Sequence, residues 1–139
     1  VMNKINLICF QDDEVIKQEG SGWRLAWDPS RQNFPILLGG QGWACELSEF
    51  EWQCFVQLVL DLVDEHKKIK KQLMSEESVS LEIERESCWG CLEGNKDKWS
   101  LHVLFQSEGA KVRSFEASWP SPIAKDFVHG MRNMWDSYQ

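Results

Sequence analysis

The chain has 139 residues, a formal net charge of −7 and a pI near 5.0, a length that suits one domain with a core of its own. Its 42% hydrophobic and 27% charged residues are ordinary globular usage and exclude a disordered chain. The acidic balance repels phosphate backbones and anionic membrane surfaces, so nucleic-acid binding would need a segregated basic patch, and no apolar run approaches the ~20 residues that span a bilayer.

Residues 1–20 carry no clear period. The apolar stretch Ile5 to Phe10, broken by Asn6, is too short and too poorly flanked for a signal peptide. Gln11 to Gly20 is polar and is predicted as the end of a mobile lead-in, with a single α+β domain over 21–139. From Gly22 the pattern sharpens. Trp23, Leu25 and Trp27 alternate with Arg24, Ala26 and Asp28, the period of a half-buried strand. Asp28-Pro29-Ser30 is a turn signal. The apolar run Phe34 to Leu38 is a second strand, which Pro35 pushes toward an edge position or a strand start. Trp43, Cys45 and Leu47 form a third, joined to it by a hairpin at Gln41-Gly42.

Ser48-Glu49-Phe50-Glu51 is a capping box, with Ser at N-cap and Glu at N3. It opens a helix of about Glu49 to Leu73. Trp52, Phe55, Val56, Val59, Leu62, Val63, Ile69 and Leu73 recur on it at three-and-four spacing. Lys67, Lys68, Lys70 and Lys71 sit in its last turns, where they complement the helix dipole. After Ser75-Glu76-Glu77 the period returns to two. Val79, Leu81 and Ile83 face one way and Ser80, Glu82 and Glu84 the other. Cys88 to Glu93 reads as a short strand, Gly94-Asn95-Lys96-Asp97 as a turn, and Trp99, Leu101, Val103 and Phe105 as the inward face of another strand. Gly109 closes the next hairpin. Lys111, Arg113, Phe115, Ala117 and Trp119 share one face of the last strand. Ser121-Pro122 then reads as N-cap and N1 of a final helix to Tyr138, with Ile123, Phe127, Met131, Met134 and Trp135 on its apolar stripe. The layout is three or four strands, a long helix, four strands and a helix, each half a meander followed by a helix. Hairpin-linked strands with helices packed on them make an antiparallel α+β fold.

The chemistry-bearing motifs are few. Cys88-Trp89-Gly90-Cys91 lies in a strand context, whereas a redox C-x-x-C sits at a helix N-terminus, where the dipole lowers the thiol pKa. Residues three apart in a strand point to opposite faces, and Cys9, Cys45 and Cys54 supply no second zinc-spaced pair. An odd count of five cysteines with no secretion signal reads as reduced thiols in a cytoplasmic protein. His66, His102 and His129 are scattered, and no nucleophile elbow accompanies them. Gly39-Gly40-Gln41-Gly42 lacks the lysine and following helix of a phosphate cradle and reads as a hairpin turn. Glu82, Glu84 and Glu86 read as a solvated face of a central strand. The expectation is therefore no catalytic residue, no metal and no cofactor. Basic residues among aromatics leave Arg24, Lys111 and Arg113 as candidate binding residues, the pattern by which a sheet tracks a single nucleic-acid strand. Three nearby glutamates and the scarcity of cations weigh against it.

Gly22-Trp23-Arg24-Leu25-Ala26-Trp27-Asp28-Pro29, then Phe34-Pro35-Ile36-Leu37-Leu38-Gly39-Gly40-Gln41-Gly42-Trp43-Ala44-Cys45-Glu46-Leu47, with Glu51-Trp52 and Leu73-Met74-Ser75-Glu76-Glu77 after them, resemble the uncharacterised cyanobacterial family called domain of unknown function 1818. The likeness runs from Gly22 to the last helix. It implies a fold similar to the Whirly and transcriptional-cofactor single-stranded-DNA-binding domains, two meander-plus-helix halves about a pseudo-twofold. It implies no activity and no site residues. The expected role is a non-enzymatic interaction or regulatory domain with a protein partner, no membrane attachment and an oligomeric state not legible from sequence. Single-stranded nucleic-acid binding through the sheet face is the alternative, disfavoured by net charge.

Overall fold

The computed structural model of the protein describes residues 6–10, 13–106 and 113–137. Strands β1 (Asn6–Phe10), β2 (Asp13–Gly20), β3 (Trp23–Trp27), β4 (Ile36–Gly40) and β5 (Trp43–Leu47) form one antiparallel sheet in chain order. Helix α1 (Glu49–Lys70) follows. A second antiparallel sheet runs β6 (Val79–Glu84), β7 (Cys88–Gly94), β8 (Trp99–Gln106) and β9 (Ser114–Trp119), again in chain order, and α2 (Ile123–Ser137) comes last. The α+β class and the succession of meander, helix, meander, helix agree with the sequence reading. No described helix is long and apolar enough to cross a membrane.

Several elements differ from expectation. The stretch predicted as a lead-in is strand: β2 pairs with β3 from Ile16↔Trp27 to Gly20↔Trp23, so the first sheet has five strands among the described residues. The strand period is masked in the sequence because the inward position between Ile16 and Gly20 is Gln18, a polar residue that is nonetheless only 1% exposed. Of the two settings expected for Pro35, the strand start is the one found: it lies just before β4, its carbonyl accepting the Asp28 amide at 2.8 Å, whereas β4 is interior and not an edge. Conversely β6, read as central, is an edge strand, and Glu86 lies beyond it in the β6–β7 turn. Helix α1 stops at Lys70, short of Leu73, with Lys71 as C-cap. Helix α2 starts at Ile123, after a cis Ser121-Pro122 bond, so Pro122 precedes the first helical residue. Gly109, Lys111 and Tyr138 lie outside the described residues.

The capping box forms in full: Glu51 N donates to Ser48 Oγ at 3.1 Å and Ser48 N donates to Glu51 Oε1 at 2.8 Å. The two hairpins β2–β3 and β4–β5 are built alike. Gly20-Ser21-Gly22-Trp23 and Gly40-Gln41-Gly42-Trp43 each turn through a glycine at φ +82°, and each lays its tryptophan over the first glycine of the motif. A side chain at Gly22 or Gly42 would be strained at that φ.

The core lies between the inward faces of both sheets and the two helices. Trp52, Phe55, Val59 and Val63 on α1 are buried, as their spacing predicted, and Leu58 and Leu62 pack onto Gly90 of β7. Trp119 joins the parts. It stacks on Phe127 of α2 at 3.8 Å between centroids, meets Phe55 of α1 edge-on, and donates Nε1–H to Gly39 O of the first sheet at 3.1 Å. Each helix crosses to the other half: α1 packs mainly on the second sheet, while α2 packs on β2 and β3 as well as β8 and β9.

Candidate interaction surface

Of the three residues singled out as cationic candidates, Arg24 and Arg113 lie in different settings and do not share a patch. Arg24 is exposed on the outward face of the first sheet, its side chain lying across Gly39 and opposite Glu19 in register. Arg113, just ahead of β9, is turned toward the core. Its Nε and Nη2 donate to the Glu51 carboxylate at 3.0 and 2.9 Å, Nη2 also reaches Glu46 O, and its guanidinium lies 4.5 Å from the Phe34 ring centroid. Lys111 is outside the described residues.

The thiols and histidines occupy structural settings. Alternation along β7 sends Cys88 toward α1 and Cys91 to the outward face, where Sγ lies 3.6 Å from Ser80 Oγ. Burial holds the Cys88 thiol above its ordinary pKa, with Cys54 nearby adding to the effect, and burial pushes Cys45 up to about 11 despite the lowering influence of Arg113. Among the described residues no three His, Cys, Asp or Glu side chains cluster as a metal site requires. His66 is buried at the end of α1, with Nε2 3.0 Å from Asn95 O, and His129 is exposed.

Two concave regions flank the second sheet. One, of roughly 650 Å³, lies between the start of α1 and the β6–β7 turn and is lined by Phe50, Cys54, Gln57 and Cys88. Two of its charged residues are already engaged, Glu51 with Arg113 and Arg85 with Asp61 at 2.5 Å, and Glu86 completes its charged lining. The other, of roughly 570 Å³, includes Glu84, Trp89, Leu104 and Glu116 in its lining.

Strand register explains why those four residues meet. Glu84 pairs with Trp89, Trp89 with Leu104, and Leu104 with Glu116, so they form one row across all four strands on the outward face. Both helices lie on the inward side, and the row is uncovered among the described residues. Two apolar side chains thus sit at its centre, with Leu104 42% exposed, and a glutamate stands on each edge strand. The next row is Glu82, Cys91, His102 and Ser118. His102 braces both rows: its Nε2–H donates to Glu116 Oε2 at 2.5 Å, and its ring meets Trp89 edge-on at 5.5 Å. The outward positions of β6–β9 carry Glu82, Glu84, Glu93 and Glu116 and no lysine or arginine. Glu82, Glu84 and Glu93 have no ion-pair partner among the described residues.

Sequence reasoning took Glu82 and Glu84 for a solvating face and passed over Trp89 and Leu104. A signal was present. Ser100, His102, Leu104 and Gln106 are the outward positions of β8, and Leu104 is the apolar exception among them.

The model of a family described as a domain of unknown function, DUF1818, matches residues 18–134. The chain is also similar to a crystallised protein of unknown function from Prochlorococcus sp. NATL2A, described as of the DUF155 family. The two share 40% identity with a TM-score of 0.80, over 87% of this chain and 98% of that one. No curated protein matches the chain.

Proposed function

Because the chain belongs to the domain of unknown function 1818 family, we propose that it is a non-enzymatic, cytoplasmic interaction domain of cyanobacterial type that docks a protein partner on the outward face of its second sheet. The row Glu84, Trp89, Leu104 and Glu116 carries this reading. An uncovered sheet face with apolar side chains at its centre and charges at its rim has the composition of a protein interface, apolar inside and polar at the edge. A non-enzymatic role is supported by Cys45 and Cys88, whose thiols burial keeps protonated and so poorly nucleophilic, and by charged groups such as Glu51 and Arg113 that pair in structural roles. Affinity capture from a nuclease-treated cyanobacterial lysate tests it. A protein retained by the native chain and lost with Leu104→Glu is expected. Capture that depends on nucleic acid, or that is indifferent to Leu104→Glu, overturns it.

Single-stranded nucleic-acid binding is the second reading. It draws on the two meander-plus-helix halves, which we take as a Whirly-like, pseudo-twofold layout, and on Arg24, exposed in a groove with Gly20, Gly22, Gly40 and Gly42. Glu19 lines the same groove, and Arg113 is committed to Glu51. We therefore expect no binding to a mixed-sequence single strand tighter than roughly 10 μM at physiological salt, the weak range of non-specific contacts. Anisotropy over a salt series measures it. Submicromolar binding abolished by Arg24→Glu would put this reading first.

A further inference from the structure

Resting on the docking-face reading, we infer that the partner segment is extended and cationic, with an apolar residue between two basic ones, and that it crosses the second sheet along the row Glu84, Trp89, Leu104 and Glu116. Charge and spacing carry this. Glu84 and Glu116 stand on the two edge strands, three strand intervals apart, which is about 14 Å at the usual interstrand spacing. An extended segment places residues i and i+4 on one side about 13 Å apart, with residue i+2 midway. A basic residue at each end therefore reaches a carboxylate while the middle side chain seats on Trp89 and Leu104. The long stems of lysine and arginine absorb the remaining mismatch and cover apolar surface on the way.

The electrostatics point the same way. With no lysine or arginine among the outward positions of the sheet, Glu82, Glu84 and Glu93 are left without an ion pair among the described residues. An anionic partner would meet one-signed repulsion, and a neutral one would cover the carboxylates with no compensating charge. Arg85, which also lines the concave region, is paired with Asp61, and His102 on the neighbouring row donates to Glu116 and fixes that carboxylate at the end of the row. The His102 ring, edge-on to Trp89, holds the indole in place as the platform.

A titration followed by two-dimensional amide NMR on isotope-labelled protein tests the inference with three peptides. They hold Lys-Ser-Leu-Ser-Lys, Gln-Ser-Leu-Ser-Gln and Glu-Ser-Leu-Ser-Glu between glycine-serine flanks. The lysine peptide should shift the resonances of Glu84, Trp89, Leu104 and Glu116. Its affinity should fall several-fold between low and physiological salt, and at least five-fold in the Glu84→Gln, Glu116→Gln double variant, whose thermal midpoint serves as the fold control. The glutamate peptide should leave those resonances unmoved. Equal binding of the glutamine peptide at the same residues overturns the cationic assignment and leaves the docking face standing. Absence of shifts on this face with every peptide overturns the inference, and the Leu104→Glu capture experiment decides separately whether the docking reading falls too.

Discussion

Arg113 grips the carboxylate of Glu51 through two nitrogens, Nε at 3.0 Å and Nη2 at 2.9 Å, across 62 positions of sequence. Glu51 is 4% exposed and also closes the capping box of α1. One carboxylate thus ties the start of α1 to the entry of β9, the last strand of the second sheet. Such a bidentate pair couples geometry to charge, and removing one partner leaves the other buried and uncompensated. Arg113→Ala is expected to cost ~2 kcal/mol, below the value for a fully buried pair because solvent still reaches the guanidinium. Glu51→Gln keeps an acceptor for the Ser48 amide and should cost less. Urea denaturation of both variants checks this, and a loss below a few tenths of a kcal/mol for Arg113→Ala would show the pair to be incidental.

Gln18 presents the opposite case. Among the described residues its buried side-chain nitrogen and oxygen have no hydrogen-bond partner, nor has the indole N–H of neighbouring Trp23. A buried amide with no partner costs about 1–3 kcal/mol. Gln18→Met keeps the shape and removes the polar atoms, so the variant is expected to match or exceed native stability by up to ~1 kcal/mol. Destabilisation beyond 1 kcal/mol in the same assay would mean that the amide has a partner, such as an internal water, that the variant loses.

Close approach between helix and sheet rests on space as well as apolarity. A methyl group at Gly130 of α2 would collide with the Trp23 ring, and one at Gly90 of β7 would come within 2.9 Å of a Leu62 methyl. Overpacking of this kind costs about 1–3 kcal/mol. Gly130→Ala should show it fully, because an indole cannot yield easily. Gly90→Ala should show less, because the leucine tips can rotate. Melting temperatures in that order support the packing, and an unchanged Gly130→Ala would contradict it.

The Cys45 thiol gives alkaline stability a definite sign. Its pKa is about 11 when folded against an ordinary value of 9.0, raised by burial. The unfolded chain gives up this proton first, so the contribution is constant below pH 9 and stability falls as pH rises from 9 toward 11. Cys45→Ala should flatten the alkaline limb of a stability–pH curve relative to the native chain. Superimposable limbs would show that the thiol is freer than its surroundings imply.

Much of the fold was readable in the chain because its strands obey a period of two with large apolar residues inward, as in Trp99, Leu101, Val103 and Phe105. The capping box gave the start of α1 to the residue. What escaped depends on partners distant in sequence. Strand β2 hides because Gln18 takes a core position that local pattern assigns to solvent. Arg113, on the face it shares with Phe115 and Trp119, read as a candidate binding residue because nothing near it in sequence announces Glu51. The row Glu84, Trp89, Leu104 and Glu116 draws one residue from each of four strands, so it exists only once the three registers are set. In the sequence Leu104 stands out only as an apolar residue out of alternation, and nothing there places it beside Trp89 or between the two glutamates.

The most direct test of the docking face asks which surface a partner touches in the cell. A photoreactive phenylalanine analogue placed at Leu104, on the second sheet, is compared with one at Ala44, exposed on the outward face of the first. After irradiation and nuclease treatment, the probe at position 104 is predicted to yield a covalent adduct with another protein and the probe at position 44 to yield none. An adduct from position 44 with none from position 104, or an adduct at 104 that nuclease removes, would contradict the account.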